Sequence, residues 1–170
     1  MPFDVNLSGL LQDPQFEGLL RVIVAGVLGG LIGLERELVG KPAGIRTYGL
    51  VGMGAAAFTV VGEQVFGPGD PASRLGQGIV TGIGFLGAGT ILHMSRRIVG
   101  LTTAAGIWVA AAVGMAIGGG LYILGIGSAI AVFVLLQFVR PEFLVRIGLA
   151  TEDEVKGKVA EGEPRRDDEE

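Results

Sequence analysis

The feature that most constrains this chain is a long stretch that is almost free of charge. Between Thr47 and Val139, a stretch of 93 residues, only five side chains are charged. The whole sequence has 31 glycines among 170 residues and is 18% charged, whereas a water-soluble domain carries about 25% charged residues. A bilayer accommodates such a stretch, because a spanning helix needs about 20 mostly apolar residues and accepts glycine readily. The charge pattern therefore predicts a membrane protein.

The apolar stretches predict an all-α, polytopic membrane helix bundle. Each stretch has roughly the length of a spanning helix and ends at a cluster of polar, Gly or Pro residues. The first is preceded by acidic rather than basic residues and has no cleavage site after it, so it is not a signal peptide. The predicted spans are five: Gly18–Leu34, Thr47–Phe66, Leu75–Leu92, Val99–Ile117 and Tyr122–Val139.

The distribution of Lys and Arg predicts the orientation of these spans. Eleven of the 13 basic residues fall on one side of the predicted membrane, and only Arg21 and Arg74 fall on the other. The basic side faces the cytoplasm in most membrane proteins. The N-terminal segment 1–17 is therefore predicted outside, the membrane domain at 18–139, and the tail 140–170 in the cytoplasm. The mixed charges of the tail predict disorder at least from residue 151.

The composition excludes several classes of site. There is no Cys, and His93 is the single His, so Cys-ligated zinc, thiol nucleophiles and multi-His metal clusters are excluded. No nucleophile–base pair stands out, and no span carries several acids for Mg²⁺, which prefers oxygen ligands. We therefore expect no enzyme activity, no cofactor, no resident metal and no nucleic-acid partner.

A run of glycines marks the third predicted span. Gly82, Gly84 and Gly87 match the spacing of a dinucleotide-binding loop, but they lie within a span and lack the strand and the acid which that loop requires. Together with Gly89 they favour close packing between helices. Other glycines four residues apart, such as Gly114 and Gly118, favour the same reading. A broken third helix that exposes backbone groups to an ion or solute is the alternative.

Two polar groups interrupt the apolar pattern near the membrane surface. Glu35, Arg36 and Glu37 continue the first span without a turn residue, and Arg46 and Thr47 open the second. The charges predict either a paired network with a functional or assembly role, with Arg46 bound to Glu35 or Glu37, or simple interfacial anchors.

The remaining candidates lie around the third and fourth spans. Asp70 and Arg74 are four residues apart at the start of the third span, where capping and a local ion pair would explain Asp70. Gln77 is expected to bond to another helix. Thr102 and Thr103 open the fourth span, and Trp108 is expected to pack between helices.

Three ordered motifs in these residues resemble the signatures of one family. The first runs from Leu31 through Glu35-Arg36-Glu37 to Ala43-Gly-Ile-Arg46-Thr47. The second joins Asp70, Arg74 and Gln77 to the glycines from 82 to 89, and the third joins Gly100-Leu-Thr-Thr to Trp108 and Gly114. Together they resemble the MgtC/SapB membrane proteins over about residues 21–139.

The resemblance implies a bacterial inner-membrane protein linked to growth in scarce magnesium and to virulence-associated survival inside host cells. It implies a regulator of other membrane proteins, with the ATP synthase as one partner, and a homo-oligomer is compatible with it. Many members carry a soluble C-terminal domain, for which the residues after Val139 are too few. The alternative function is a small transporter of magnesium, another ion or a solute.

Overall fold

The structure, a computed structural model, describes residue 9 and residues 13–67, 69–94 and 97–138. This part of the chain is helical apart from one short hairpin, which confirms the predicted helical architecture. The elements in chain order are α1 (Pro14–Leu38), α2 (Ile45–Phe66), α3 (Asp70–Gly89), β1 (Leu92–Met94), β2 (Arg97–Val99), α4 (Leu101–Gly118) and α5 (Tyr122–Phe138).

Capping and turn residues set the helix ends. The Asp13 carboxylate accepts a hydrogen bond from the Gln15 backbone N–H at 2.8 Å, and a proline follows at the start of α1, an arrangement that favours helix initiation. Gly67 follows α2 with φ +72°, and Gly100 precedes α4 with φ +92°. Both values lie in the left-handed region, where a residue without Cβ is preferred.

The first and third predicted spans differ from the helices that form. The prediction ended the first span at Leu34, whereas α1 continues to Leu38, because no helix-breaking residue occurs before Gly40. The prediction ended the third span at Leu92, whereas α3 ends at Gly89. Leu92 instead pairs with Val99 in an antiparallel hairpin, which was not predicted.

The core of the bundle consists of α1, α2 and α4, which make the most extensive contacts with one another. Small residues dominate this core: Ala25 of α1, Ala56 of α2 and Ala110 of α4 are completely buried. Tyr48 is the largest of the fully buried side chains. Because most of these side chains are small, the helix backbones approach one another closely.

Glycines create the closest approaches in this core. A Cβ atom built on Gly52 of α2 would lie 2.6 Å from the Ala25 carbonyl oxygen of α1. A Cβ atom on Gly118 of α4 would lie 2.7 Å from the Ala56 carbonyl oxygen of α2. No real Cβ fits at these distances, so the three helices pack through their backbones.

The helices α3 and α5 lie outside this core. The helix α3 contacts α2 and α4 less extensively than the core helices contact one another. Within α5, Gly125 packs against Ile117, whereas Ile123 is 92% exposed. The described residues up to Phe133 belong to one compact unit, and a second unit begins at Val134. The disorder predicted from residue 151 lies outside the described residues.

Three helices are long and apolar enough to cross a membrane: α1, α2 and α4. The helix α5 is apolar but shorter. The chain is therefore a membrane protein, whereas its five-span topology stays a prediction.

Candidate functional site

The most deeply buried charges of the described chain lie at the C-terminal end of α1. Glu35 is 2% exposed and Arg36 is 6% exposed. The Arg36 Nε donates a hydrogen bond to Glu35 Oε2, and the two side chains form an ion pair. A buried ion needs such a partner, because moving an unpaired charge out of water into the protein interior is energetically costly. We call these two residues the buried pair.

Tyr48 of α2 lies where α2 meets both α1 and α4. Its side chain is completely buried, and its backbone lies against α1, since a Cβ atom on Gly29 would be 3.1 Å from the Tyr48 carbonyl carbon. The Tyr48 hydroxyl donates a hydrogen bond to the Thr103 carbonyl oxygen of α4 at 3.3 Å. Gly106 makes room for the ring, since a Cβ atom there would lie 3.1 Å from Tyr48 Cε1. The three core helices therefore meet around Tyr48.

Glu37 holds the loop between α1 and α2. Its Oε2 accepts a hydrogen bond from the Ile45 backbone N–H at 3.0 Å. The N-cap residue of α2 is Gly44, which has no side chain to cap the helix. Glu37 therefore supplies the acceptor that an N-terminal helix N–H requires.

The predicted pairing of Arg46 with Glu35 or Glu37 is wrong. Glu35 pairs with its neighbour Arg36, and Glu37 bonds to the backbone of Ile45. Arg46 is exposed. The prediction placed the acids and the base at the same depth but did not consider that an adjacent Arg and a free helix N-terminus compete for the carboxylates.

A second charge cluster lies near the opposite end of the core, around Arg21 of α1. Its guanidinium donates hydrogen bonds to Glu17 Oε1 at 2.7 and 3.2 Å, and to Glu63 Oε2 at 3.1 Å. It also donates to the Gly118 carbonyl oxygen at 2.9 Å. One side chain therefore joins α1 to α2 and to the C-terminal end of α4, where a cation interacts favourably with the helix dipole.

Arg21 and Tyr48 were not among the predicted site residues. The i,i+4 spacing of Glu17 and Arg21 is a local signal that could have indicated their pair. Glu63 is 42 residues from Arg21, and no pattern in a single sequence reports that contact. Tyr48 carries a hydroxyl inside an apolar helix, which signals a need for a hydrogen-bond partner.

The outward face of α3 carries a stripe of polar and small residues. Gln77, Thr81, Gly84 and Ala88 recur at intervals of four, three and four residues, so they share one face of the helix, and all four are exposed. The Thr81 hydroxyl donates to the Gln77 carbonyl oxygen at 2.9 Å. The Gln77 side-chain amide has no hydrogen-bond partner within the part of the chain that the structure describes. We call these four residues the α3 stripe.

Most glycines of α3 do not pack against this chain. A Cβ atom at Gly82, Gly84 or Gly89 would meet no atom within 4 Å. Gly87 differs, because a Cβ atom there would make ordinary contact with Ala104 of α4 at 3.6–3.8 Å. The predicted packing face is therefore wrong for three of the four glycines within one chain, whereas Gly114 and Gly118 pack as predicted.

The other candidates are dispersed. Thr47 and Arg74 are exposed, and Asp70 begins α3 with its side chain outside the described part. Thr102 is exposed and Thr103 is buried. Trp108 is 49% exposed, so its packing between helices stays a prediction. Among the described residues, no three His, Asp or Glu side chains are grouped closely enough to hold a metal ion.

Comparisons with known proteins identify relatives of this chain. The model of the MgtC family matches residues 22–142. A protein of Escherichia coli (strain K12) named "Putative magnesium transporter YhiD" is 48% identical over 130 residues, which cover 72% of this chain and 60% of YhiD. SrpB of Synechococcus elongatus is 41% identical over 150 residues, covering 80% of this chain and 82% of SrpB.

MgtC of Brucella abortus (strain 2308) is 43% identical over 117 residues, covering 69% of this chain and 49% of that protein. The chain thus spans about 60% of YhiD and about half of MgtC. No solved structure gives a significant match. The matched region contains the four helices from α2 to α5 and most of α1, and on this basis the chain belongs to the MgtC family.

Proposed function

We propose that this chain is a five-span inner-membrane protein that supports adaptation to low magnesium by acting on another membrane protein. The name of its relative YhiD and its membership of the MgtC family support the link to magnesium. The excess of Lys and Arg on one side supports an external N-terminus and a cytoplasmic C-terminus.

The lengths of α3 and α5 support their assignment as two further membrane spans. The helix α3 has 20 residues, which correspond to about 30 Å at 1.5 Å per residue and match the hydrocarbon thickness. The helix α5 has 17 residues without charge, at the short end of the range for a spanning helix.

The observation that carries the proposal is the α3 stripe. In a bilayer, an amide without a partner is costly, because lipid tails offer no hydrogen bonds. Gln77 is exposed and lacks a partner within the described chain, and the open positions at Gly84 and Ala88 would let a second helix approach closely. A helix face that combines polar side chains with small residues is typical of contacts between membrane helices. The stripe therefore suits a partner helix from another polypeptide.

A transporter is the second candidate, and the name of YhiD favours it. The geometry favours a regulator, because the charges of the core are engaged with one another at its two ends. Between these ends the helices α1, α2 and α4 contact through glycine and alanine backbones. Such packing suits a rigid scaffold better than an ion path.

Reconstitution distinguishes the two functions. The purified protein in liposomes loaded with a magnesium-sensitive dye should give no more Mg²⁺ influx than empty liposomes. Saturable influx would establish the transporter instead.

The partner contact needs a second experiment. In a strain that requires this protein for growth in low magnesium, Gln77→Leu should abolish that growth while the membrane level is unchanged. Gly127→Leu on α5, another open glycine position, is the matched control and should grow normally. Growth of both variants would contradict the role of the stripe. ATP synthase, implied by the family resemblance, is the first partner to assay for altered activity.

A further inference from the structure

An open groove runs between α2 and α3. Of the α3 stripe, Ala88 lies at one end of this groove, whereas Gln77, Thr81 and Gly84 do not line it. It has a volume of about 480 Å³ and is lined by aliphatic, aromatic and glycine residues of both helices. Gly54, Gly78 and Gly82 line it without filling it, since a Cβ atom at any of them meets nothing within 4 Å. The buried side chains of Val51 and Ile83 lie among its lining. The missing side chains therefore leave a depression in the surface.

The groove continues toward the N-terminal end of α2. A second depression of about 440 Å³ shares Val51 and Leu86 with the first, and adds Thr47 and Thr90 to the lining. The apolar channel thus reaches hydroxyl-bearing residues at the end of α2 that is predicted to face the cytoplasm.

A positively charged side chain, that of Arg46, belongs to this end of the groove. Arg46 directly precedes the lining residue Thr47 and lies one helical turn before the lining residue Leu50, so Arg46 and Leu50 share a side of α2. Arg46 is exposed and forms no ion pair with any described side chain. The neighbouring acid Glu37 is bonded to the Ile45 N–H instead. The charge of Arg46 is therefore available to an anion, whereas Glu37 already occupies the N-terminus of α2.

We propose that this groove binds an anionic phospholipid such as phosphatidylglycerol. The acyl chains lie along the apolar channel, and the phosphate binds the Arg46 guanidinium, whose planar donors suit phosphate oxygens. Basic sites at the cytoplasmic ends of membrane helices are known to bind lipid headgroups. The inference rests on the proposed topology in one respect, since it needs α3 within the bilayer.

The shape of the groove between α2 and α3 favours a lipid over a helix from a partner protein. A helix with its side chains is about 10–12 Å across, whereas the groove is a depression between two adjacent helices that remain in contact. Flexible methylene chains fill such a space, and its apolar lining makes their burial favourable. The α3 stripe, which carries an unpartnered amide, suits a partner helix better.

Native mass spectrometry of the protein released from nanodiscs tests the proposal. The nanodiscs contain phosphatidylglycerol and phosphatidylcholine in equal amounts. The parent protein should retain phosphatidylglycerol in preference to phosphatidylcholine by about tenfold, since a charge-assisted contact is lost with the neutral lipid. Equal retention of the two lipids, or of neither, would overturn the proposal.

Three variants locate the site. Gly82→Leu and Gly54→Leu fill the groove without a clash, so both should fold and lose the retained lipid. Arg46→Gln should keep a lipid but lose the preference for phosphatidylglycerol. Gly127→Leu on α5 fills an open position away from the groove and should behave like the parent.

Circular dichroism and size-exclusion chromatography confirm that each variant folds. If the two filled variants retain phosphatidylglycerol, the lipid binds elsewhere and the proposal fails. If they instead lose a bound membrane protein while keeping the lipid, the groove holds a partner helix. None of these results depends on ion flux or on Gln77, so they are distinguishable from a failure of the proposed function.

Discussion

The α1/α2/α4 core and α3 are both rich in glycine, yet they use it in opposite ways. In the core, glycines bring backbones together: a Cβ atom at Gly52 would lie 2.6 Å from the Ala25 carbonyl oxygen. On α3, Gly82 and Gly84 have no atom within 4 Å of that position. Glycine therefore permits close helix contacts in the core, whereas on α3 it leaves open positions at the surface. The spacing of glycines in the sequence does not tell these two cases apart.

The largest expected effect comes from a substitution in the buried pair. Arg36→Ala should destabilise the protein by about 3–5 kcal/mol, because it breaks the buried ion pair between Arg36 and Glu35. Arg46→Ala, which removes the exposed Arg of the same region, should cost about 0–1 kcal/mol in lipid-free detergent. Unfolding in mixed micelles with a denaturant measures both. Equal losses would show that the two charges have similar surroundings.

The second prediction compares two glycines of one helix. Gly52→Ala should cost about 1–3 kcal/mol, because the added methyl group overpacks the contact with α1. Gly54→Ala, two residues further along α2, enters open space and should be neutral or stabilise the helix by up to about 1 kcal/mol. Thermal unfolding in detergent distinguishes them. A stable Gly52→Ala variant would mean that the core helices are further apart than described.

The third prediction concerns the loop that starts α2. Glu37→Ala should cost about 0.5–2 kcal/mol, the usual effect of removing a helix cap. Glu37→Gln keeps a side-chain oxygen that can accept from the Ile45 N–H, so it should recover part of the loss. If Gln and Ala variants are equally unstable in detergent, the carboxylate acts through its charge rather than as a cap.

The smallest expected effect lies at the Arg21 cluster. Glu63→Ala should cost about 0–1 kcal/mol, because its side chain is 57% exposed and solvent screens the pair. Arg21→Ala should cost more, since it also removes the bond to the Gly118 carbonyl oxygen. A double-mutant cycle on unfolding free energies isolates the pairwise energy, and a coupling above about 2 kcal/mol would contradict the exposed character of this pair.

The sequence predicted the helices better than their contacts. Spans predicted at Thr47–Phe66 and Tyr122–Val139 correspond closely to α2 and α5, because polar, Gly and Pro residues set the ends of both. The hairpin at Leu92–Met94 and Arg97–Val99 was missed, since three residues are too few to show a periodic pattern.

The site was harder to predict because its contacts depend on how the helices face one another. Glu35 and Arg36 stood out as charges beside an apolar span, but their burial depends on how the rest of the chain packs around the end of α1. The Arg21–Glu63 contact joins residues far apart in the chain. Trp108 looked suited to packing between helices, yet it is half-exposed, because smaller residues of α4 occupy the core instead.

Photo-crosslinking within the membrane tests most directly whether the α3 stripe contacts another protein. A photoreactive amino acid at position 84 is irradiated in cells growing in low magnesium, and the same group at position 127 on α5 serves as the control. The account predicts a discrete crosslink to a second polypeptide from position 84 and none from position 127. Adducts with lipid alone at position 84 would contradict it.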